Sequence, residues 1–364
     1  MPHEGKYIDA EDRWQSAAEI SRMSPRLLTA HEFAGGYEAP AYLVEGVAQR
    51  KRLYSCTAVT GAGKTAVSLT LAVHVAMGMP LAGKEVERGK VAFFAGENPD
   101  DIRARVLVTS EAFNADLNSL EIFFFDHVFD ITSTYDHIAN CVQKIGGVDL
   151  VVIDTAAAFF QGDDENSNTE LGNFARDLRR LCDMDGGPCV IVNAHPTKTP
   201  SKHSLYPRGG GAFLNEVDGN FRLWSEDEGV TELHWCGKFR GPDFDPISFK
   251  LDVRTSDHVK DSKGRLIPSV VALPVGEDEQ ASLSKAARSD EDGALDVLLN
   301  YPSGSISSWC EQLEWMTENG EPQKSKMHRI IIRLHEDGLV TMKRKKWVLT
   351  KPGKQEAERV CGAF

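Results

Sequence analysis

Residues 58–65 read Ala58-Val-Thr60-Gly61-Ala62-Gly63-Lys64-Thr65, and they sit between an apolar run of strand length (53–59) and a helical pattern that continues from Ala66 to Met77. A strand, a glycine-rich turn and a helix in that order form a phosphate-binding loop. Small residues let successive backbone N–H groups curl round an anion, at a helix N-terminus whose dipole favours negative charge. Thr60, Gly61, Ala62, Gly63 and Ala66 would line that cradle, Lys64 would reach the outer phosphates, and the Thr65 hydroxyl would ligate magnesium. Ala58 stands where the usual pattern has glycine and keeps the side chain small. The ligands implied are ATP and Mg2+.

The surrounding pattern fixes the architecture expected around this loop. From about residue 50 to 225, short apolar runs at 91–95, 122–125, 150–154 and 189–194 alternate with helical stretches, which predicts parallel strands joined by crossover helices. Strands alone follow, at 221–224, 232–236, 247–253 and 269–273, with a turn at Asp261–Arg265, so an antiparallel extension of the sheet is expected. The fold class is therefore α/β, a mainly parallel sheet with an antiparallel extension. The expected domains are an N-terminal arm over 1–45 with an amphipathic piece at Trp14–Met23, an ATPase domain over 46–274, a linker over 275–289 and a small C-terminal domain over 290–364.

Composition narrows the class. The chain has 364 residues, 41% of them hydrophobic, and a net charge of −13; that is long for a single core, and the charge excludes a uniformly basic nucleic-acid binder, so the placement of positive charge decides. No stretch approaches the roughly 20 apolar residues of a membrane span, and a cytoplasmic protein without a membrane partner is expected. The seven cysteines are scattered with no CxxC pair, a pattern of reduced thiols rather than a disulfide framework or zinc site.

Three further strand ends carry chemistry. Val148–Asp154 is a buried-type strand ending in a carboxylate, placed to hold the magnesium shell, through water, beside Thr65. Thr155 follows where many P-loop ATPases carry the water-activating glutamate, so the base must come from elsewhere. Glu97, at the end of Val91-Ala-Phe-Phe-Ala-Gly-Glu97, is the candidate, since such sheets gather ligands at the carboxyl ends of their strands. The strand 189–194 leads into His195, held extended by Pro196 and placed to sense the γ-phosphate. Beyond it, residues 196–211 contain Lys198, Lys202, His203 and Arg208 with no acid and end in glycines. That loop reads either as a contact for single-stranded DNA or as solvated surface.

Together these residues resemble the RecA-like P-loop ATPases, and within them the hexameric plasmid replication helicase RepA and related phage and plasmid ATPases. The resemblance runs over about residues 38–255 and rests on Ala58 to Thr65, the strand ending in Glu97, Ile153-Asp154-Thr155 with Asp163-Asp-Glu-Asn166, and Asn193-Ala-His195. It implies a homo-oligomer, a hexameric ring with ATP between subunits, in which a neighbour supplies a cation from Lys238-Phe239-Arg240-Gly241-Pro242. Lys238 and Arg240 are thus candidate catalytic residues acting across the interface. A DNA helicase follows from the resemblance, although regulators, loaders and recombinases share this core.

The C-terminal segment predicts helices near 290–299, 305–315 and 323–337, then two short strands round Lys343-Arg344-Lys345-Lys346, a pattern that resembles a winged helix-turn-helix. Its basic side chains, Lys324, Lys326, Arg329, Arg333 and the four of the turn, follow acidic helices. Duplex DNA or a protein partner suits such a module.

Overall fold

The computed structural model describes residues 27–162, 164, 167–198, 200–202, 204–208, 210–227, 229–317 and 319–361. The expected amphipathic piece at Trp14–Met23 therefore lies outside the described residues, as do Asp163, Glu165, Asn166, His203 and Gly209. The chain divides after Ala41 into two compact units. In the first, helix α1 (Ala30–Gly35) carries a complete capping box between Thr29 and Glu32 yet buries none of its residues.

The second unit, Tyr42–Phe364, is organised by one sheet. Strands β1 (Tyr42–Val44) and β2 (Ala48–Gln49) form a small antiparallel pair ahead of it. The sheet strands are β3 (Leu53–Thr57), β4 (Val91–Ala95), β5 (Ile122–Phe125), β6 (Leu150–Asp154), β7 (Cys189–Ala194), β8 (Gly219–Asp227), β9 (Val230–Phe239), β10 (Ile247–Arg254) and β11 (Ser269–Pro274). Their spatial order is β11-β10-β9-β8-β3-β7-β6-β4-β5. From β8 to β5 all neighbours run parallel, while β8 to β11 pair antiparallel. The mixed α/β sheet expected from the alternation of patterns is present, extension included.

The apolar runs are continuous because both faces of the sheet are covered. Val91, Phe93 and Ala95 of β4 join one core with helix α2 (Lys64–Met77), whereas Ala92 and Phe94 point into a second core with α4 (Tyr135–Lys144) and α6 (Asn168–Arg180). Helix α3 (Pro99–Ala112) lies on the α2 side, packed on α2 and β11. Nearly every residue of α2 is buried, and the helix stops where Gly78 turns left-handed at φ +67°, a conformation costly for any residue with a Cβ. Strand β3 ends at Thr57 rather than at residue 59, since Ala58 already turns into the phosphate loop. Short helices α5 (Ala156–Phe159) and α7 (Gly210–Glu216) flank the site strands.

The segment expected to be a linker, 275–289, is instead mostly helix: α8 runs from Glu277 to Asn300. Its Glu, Gln, Ala, Leu, Lys and Arg are strong helix formers, and that propensity outweighs the missing apolar period. The helix continues into a separate core with α9 (Ile306–Gln312), α10 (Lys324–Glu336), the hairpin β12 (Val340–Lys343) and β13 (Lys346–Leu349), and α11 (Lys351–Cys361), a terminal helix the pattern did not announce. Ser305 caps α9, accepting from Ser308 N. Arg344 and Lys345 both have positive φ, the backbone of a two-residue primed turn.

Candidate active site

Four adjacent strands, β3, β7, β6 and β4, deliver their carboxyl ends to one cleft of about 450 Å³, lined by Thr60, Gly61, Gly63, Lys64, Thr65, Ala66, Glu97, Thr155 and His195. The phosphate loop follows β3. Gly61 and Gly63 take φ of +84° and +90°, and a Cβ on Gly63 would come within 2.9 Å of Leu251 Cδ2, so any other residue there is strained. Lys64 is buried and its Nζ donates to the Ala58 and Val59 carbonyls at 2.9 and 3.4 Å, which closes the loop on itself. Burial holds its ammonium below the ordinary lysine range, against the pull of Cys56, Asp154 and Glu97 nearby.

Asp154 is 2% exposed, and each of its oxygens has a donor. Thr65 Oγ1 donates to Oδ2 at 2.8 Å and Asn193 Nδ2 to Oδ1 at 2.9 Å. Asn193 also binds Ser68 on α2, so β7 ties the carboxylate strand to the phosphate-loop helix. Burial pushes the Asp154 carboxyl up, and the bonds from Asn193 and Thr65 oppose that. Asn193 appeared in the sequence only as part of a motif; its role arises because β7 lies between β3 and β6, a neighbour relation that residue order does not state.

Glu97 follows β4, and both Gly96 N and Glu97 N donate to the Asp154 carbonyl, at 3.0 and 3.3 Å. Gly96 is required for this approach, since a Cβ would meet Phe159 Cε2 at 2.5 Å. Capping of α3 is done by Asn98, whose side chain accepts from Asp101 N, with Pro99 in the first turn. The Glu97 carboxylate is exposed on the cleft and is not spent on that cap. His195 lines the same cleft, one strand from the phosphate loop.

Lys238 and Arg240 lie elsewhere. Phe239 pairs with Gly219, which sits beside Tyr54 at the start of β3, so both cations are at the opposite end of the sheet from their own phosphate loop. Lys238 Nζ donates to the Asn215 carbonyl at 2.5 Å, and Arg240 Nη1 donates to Asp218 Oδ1 at 2.9 Å.

The loop after His195 is less open than its composition suggests. Arg208 N bonds the His195 carbonyl and Thr197 N the Tyr206 carbonyl, closing it at the base. Lys202 turns inward: its side chain is 18% exposed, 3.9 Å from Glu232, with the ammonium lowered chiefly by burial. Lys198 and Arg208 remain on the surface. In the C-terminal helices, Lys326 and Arg333 pair with Asp290 and Glu291 of α8 at 2.9 and 3.0 Å, so two of the eight basic residues serve the fold. Lys343, Arg344, Lys345 and Lys346 are exposed on the hairpin.

A family model described as an AAA domain matches residues 17–201, more than half of the chain, and the protein belongs to that family of P-loop ATPases. Membership makes it a nucleotide-binding ATPase. No curated protein matches the chain significantly. The site residues fit a magnesium ion carried by the nucleotide: a buried carboxylate faces a threonine hydroxyl, while among the described residues no cluster of three or more His, Cys, Asp or Glu could hold a metal alone. Phosphates and water would complete its shell. Among the described residues no helix is long and apolar enough to cross a membrane.

Proposed function

We propose that the chain is an ATP-driven DNA motor, a RepA-like ring helicase acting in the replication of a plasmid, phage or other mobile element. The observation that carries this reading is the split of charge across the sheet: Lys64, Thr65, Asp154, Glu97 and His195 meet at one end, and Lys238 and Arg240 lie at the other. In a head-to-tail ring the second end of one subunit meets the first end of the next, and such heterologous contacts close into cyclic assemblies.

Lys64 holds negative charge at the outer phosphates, and Thr65 and Asp154 hold the nucleotide's magnesium, which neutralises phosphate charge when bound. Glu97 accepts the proton of the water whose oxygen attacks the γ-phosphorus as the bond to the β-phosphate oxygen breaks, giving ADP and phosphate. His195 senses the γ-phosphate and is joined to the following loop through the Arg208 N–H. The neighbour's Arg240 offsets the charge of the transition state. Single-stranded DNA would meet Lys198 and Arg208, and the C-terminal module, read as a winged helix, would meet duplex through its basic hairpin.

A second reading has one observation in its favour. With Lys202 turned inward the loop is a modest phosphate track, whereas the hairpin offers four consecutive exposed cations; an ATP-switched duplex-binding regulator or loader fits that distribution. ATPase rate with and without single-stranded DNA, native mass and strand displacement decide between them. A ring with DNA-stimulated turnover and unwinding supports the motor; slow, unstimulated turnover with tight duplex binding supports the switch.

A further inference from the structure

Asp218 is fully buried at the end of the sheet that carries Arg240, and both of its carboxylate oxygens accept hydrogen bonds. Oδ1 accepts from Arg240 Nη1 at 2.9 Å; Oδ2 accepts from Arg179 Nη1 at 2.9 Å and from Leu53 N at 3.0 Å. The backbone repeats both links. Asp218 N donates to the Leu53 carbonyl at 2.7 Å, and Arg240 N donates to the Asp218 carbonyl at 2.9 Å. Arg240 is thus tied twice to Asp218, and Asp218 twice to the first residue of the strand that leads into the phosphate loop.

This arrangement differs from an ordinary surface pair. Two long side chains meeting in water gain little, because holding them costs rotamer entropy and solvent screens the charge. Here the carboxylate is desolvated and pre-ordered, while the Arg240 side chain is 59% exposed. One carboxylate serves two guanidiniums, so a positive charge remains, and Asp218 engages only Nη1 of Arg240. Asp218 leaves the rest of the guanidinium fork unengaged, and on a side chain this exposed it is accessible to a second anion, as arginine requires for bidentate recognition of phosphate.

We propose that Asp218 is the positioning residue of Arg240, holding its guanidinium in the orientation that meets the γ-phosphate bound by the adjacent subunit. The inference rests on the reading of Arg240 as a residue acting across the interface. Asp218 touches no substrate; it acts through Arg240.

The test compares Asp218→Asn, Arg240→Ala and Lys64→Ala, alone and mixed under subunit exchange. Asp218→Asn should assemble to the native mass and bind a fluorescent ATP analogue within about twofold of the parent, yet lose about tenfold or more in turnover, toward the roughly 10³ expected for Arg240→Ala. Mixed with Lys64→Ala, it should recover activity, because its intact phosphate loop then faces an intact, correctly held Arg240. Mixed with Arg240→Ala it should not, since neither partner supplies a competent finger. Wild-type turnover in Asp218→Asn, recovery with Arg240→Ala, or failure to recover with Lys64→Ala would overturn the proposal, the last by placing the defect in the subunit's own fold. Wild-type turnover in Arg240→Ala would instead sink the trans-acting reading beneath it. If Asp218→Asn does not assemble, Asp218→Glu keeps the charge, displaces the carboxylate by one methylene and is carried through the same mixtures with the same expected outcomes.

Discussion

Replacing Asn193 by alanine should weaken magnesium-nucleotide binding about 30-fold while the protein stays folded. Asn193 gives Asp154 one of its two side-chain donors and links it to Ser68 on the phosphate-loop helix. A hydrogen bond to a charged group contributes roughly 1.5–3 kcal/mol, and about 2 kcal/mol corresponds to about 30-fold in a dissociation constant. The effect should be largest at limiting magnesium, because the orphaned carboxylate is the group that would hold the cation's shell. It should also show in pH dependence. Burial already raises the Asp154 carboxyl, and Asn193 opposes that rise; without it, the acid limb of the kcat/KM profile moves to higher pH, since the carboxylate must be charged to work. Stability carries the opposite sign. An acid whose folded pKa is raised costs the native state most when ionised, so without magnesium the parent protein should gain stability as pH falls through the Asp154 titration, and the variant should gain more. Titration of a fluorescent ATP analogue against magnesium, with melting temperature as the control for folding, measures both. A folded variant whose affinity at limiting magnesium and whose acid limb both match the parent would refute this account of the site.

Further expectations follow from the same geometry. Lys64→Ala should lose nucleotide binding by filter or fluorescence assay, whereas Glu97→Gln should bind ATP normally and lose about 10² to 10⁴ in turnover, as removal of a general base predicts; near-normal turnover would reassign the base. Gly63→Ala forces a Cβ to φ +90° and against Leu251, a conformation costing roughly 1–2 kcal/mol by itself, so nucleotide affinity should fall; Leu251→Ala should restore only the part due to the clash. Neutralising Lys343, Arg344, Lys345 and Lys346 should flatten the salt dependence of duplex binding by about 0.9 per lost phosphate contact while leaving basal ATPase unchanged. An unchanged slope would point to a protein partner for the hairpin.

Much of the molecule was legible from residue order because its cause is local. The strand, loop and helix around Lys64 follow from an apolar run, two glycines that accept positive φ and a helix-forming stretch closed by Gly78. The carboxyl ends at Glu97, Asp154 and His195 could be placed on one edge because parallel strands joined by crossovers must all point the same way. The turn at Asp261–Arg265 and the cap at Ser305 are likewise decided within a few residues. What the chain order could not state is which strands lie side by side and which way a long side chain turns. That β7 sits between β3 and β6 makes Asn193 a bridge across 39 residues to Asp154 and 125 to Ser68. Lys202 reads as part of a basic loop until Glu232 draws it inward, and Lys326 and Arg333 read as a recognition surface until the acidic face of α8 takes them. Asp218 carries no motif at all; its meaning comes from Leu53, 165 residues earlier, and Arg240, 22 later, meeting it in a desolvated corner. Local propensity selects the elements, but a buried charge is defined by the partners that burial brings to it, and those partners are chosen only when the sheet closes.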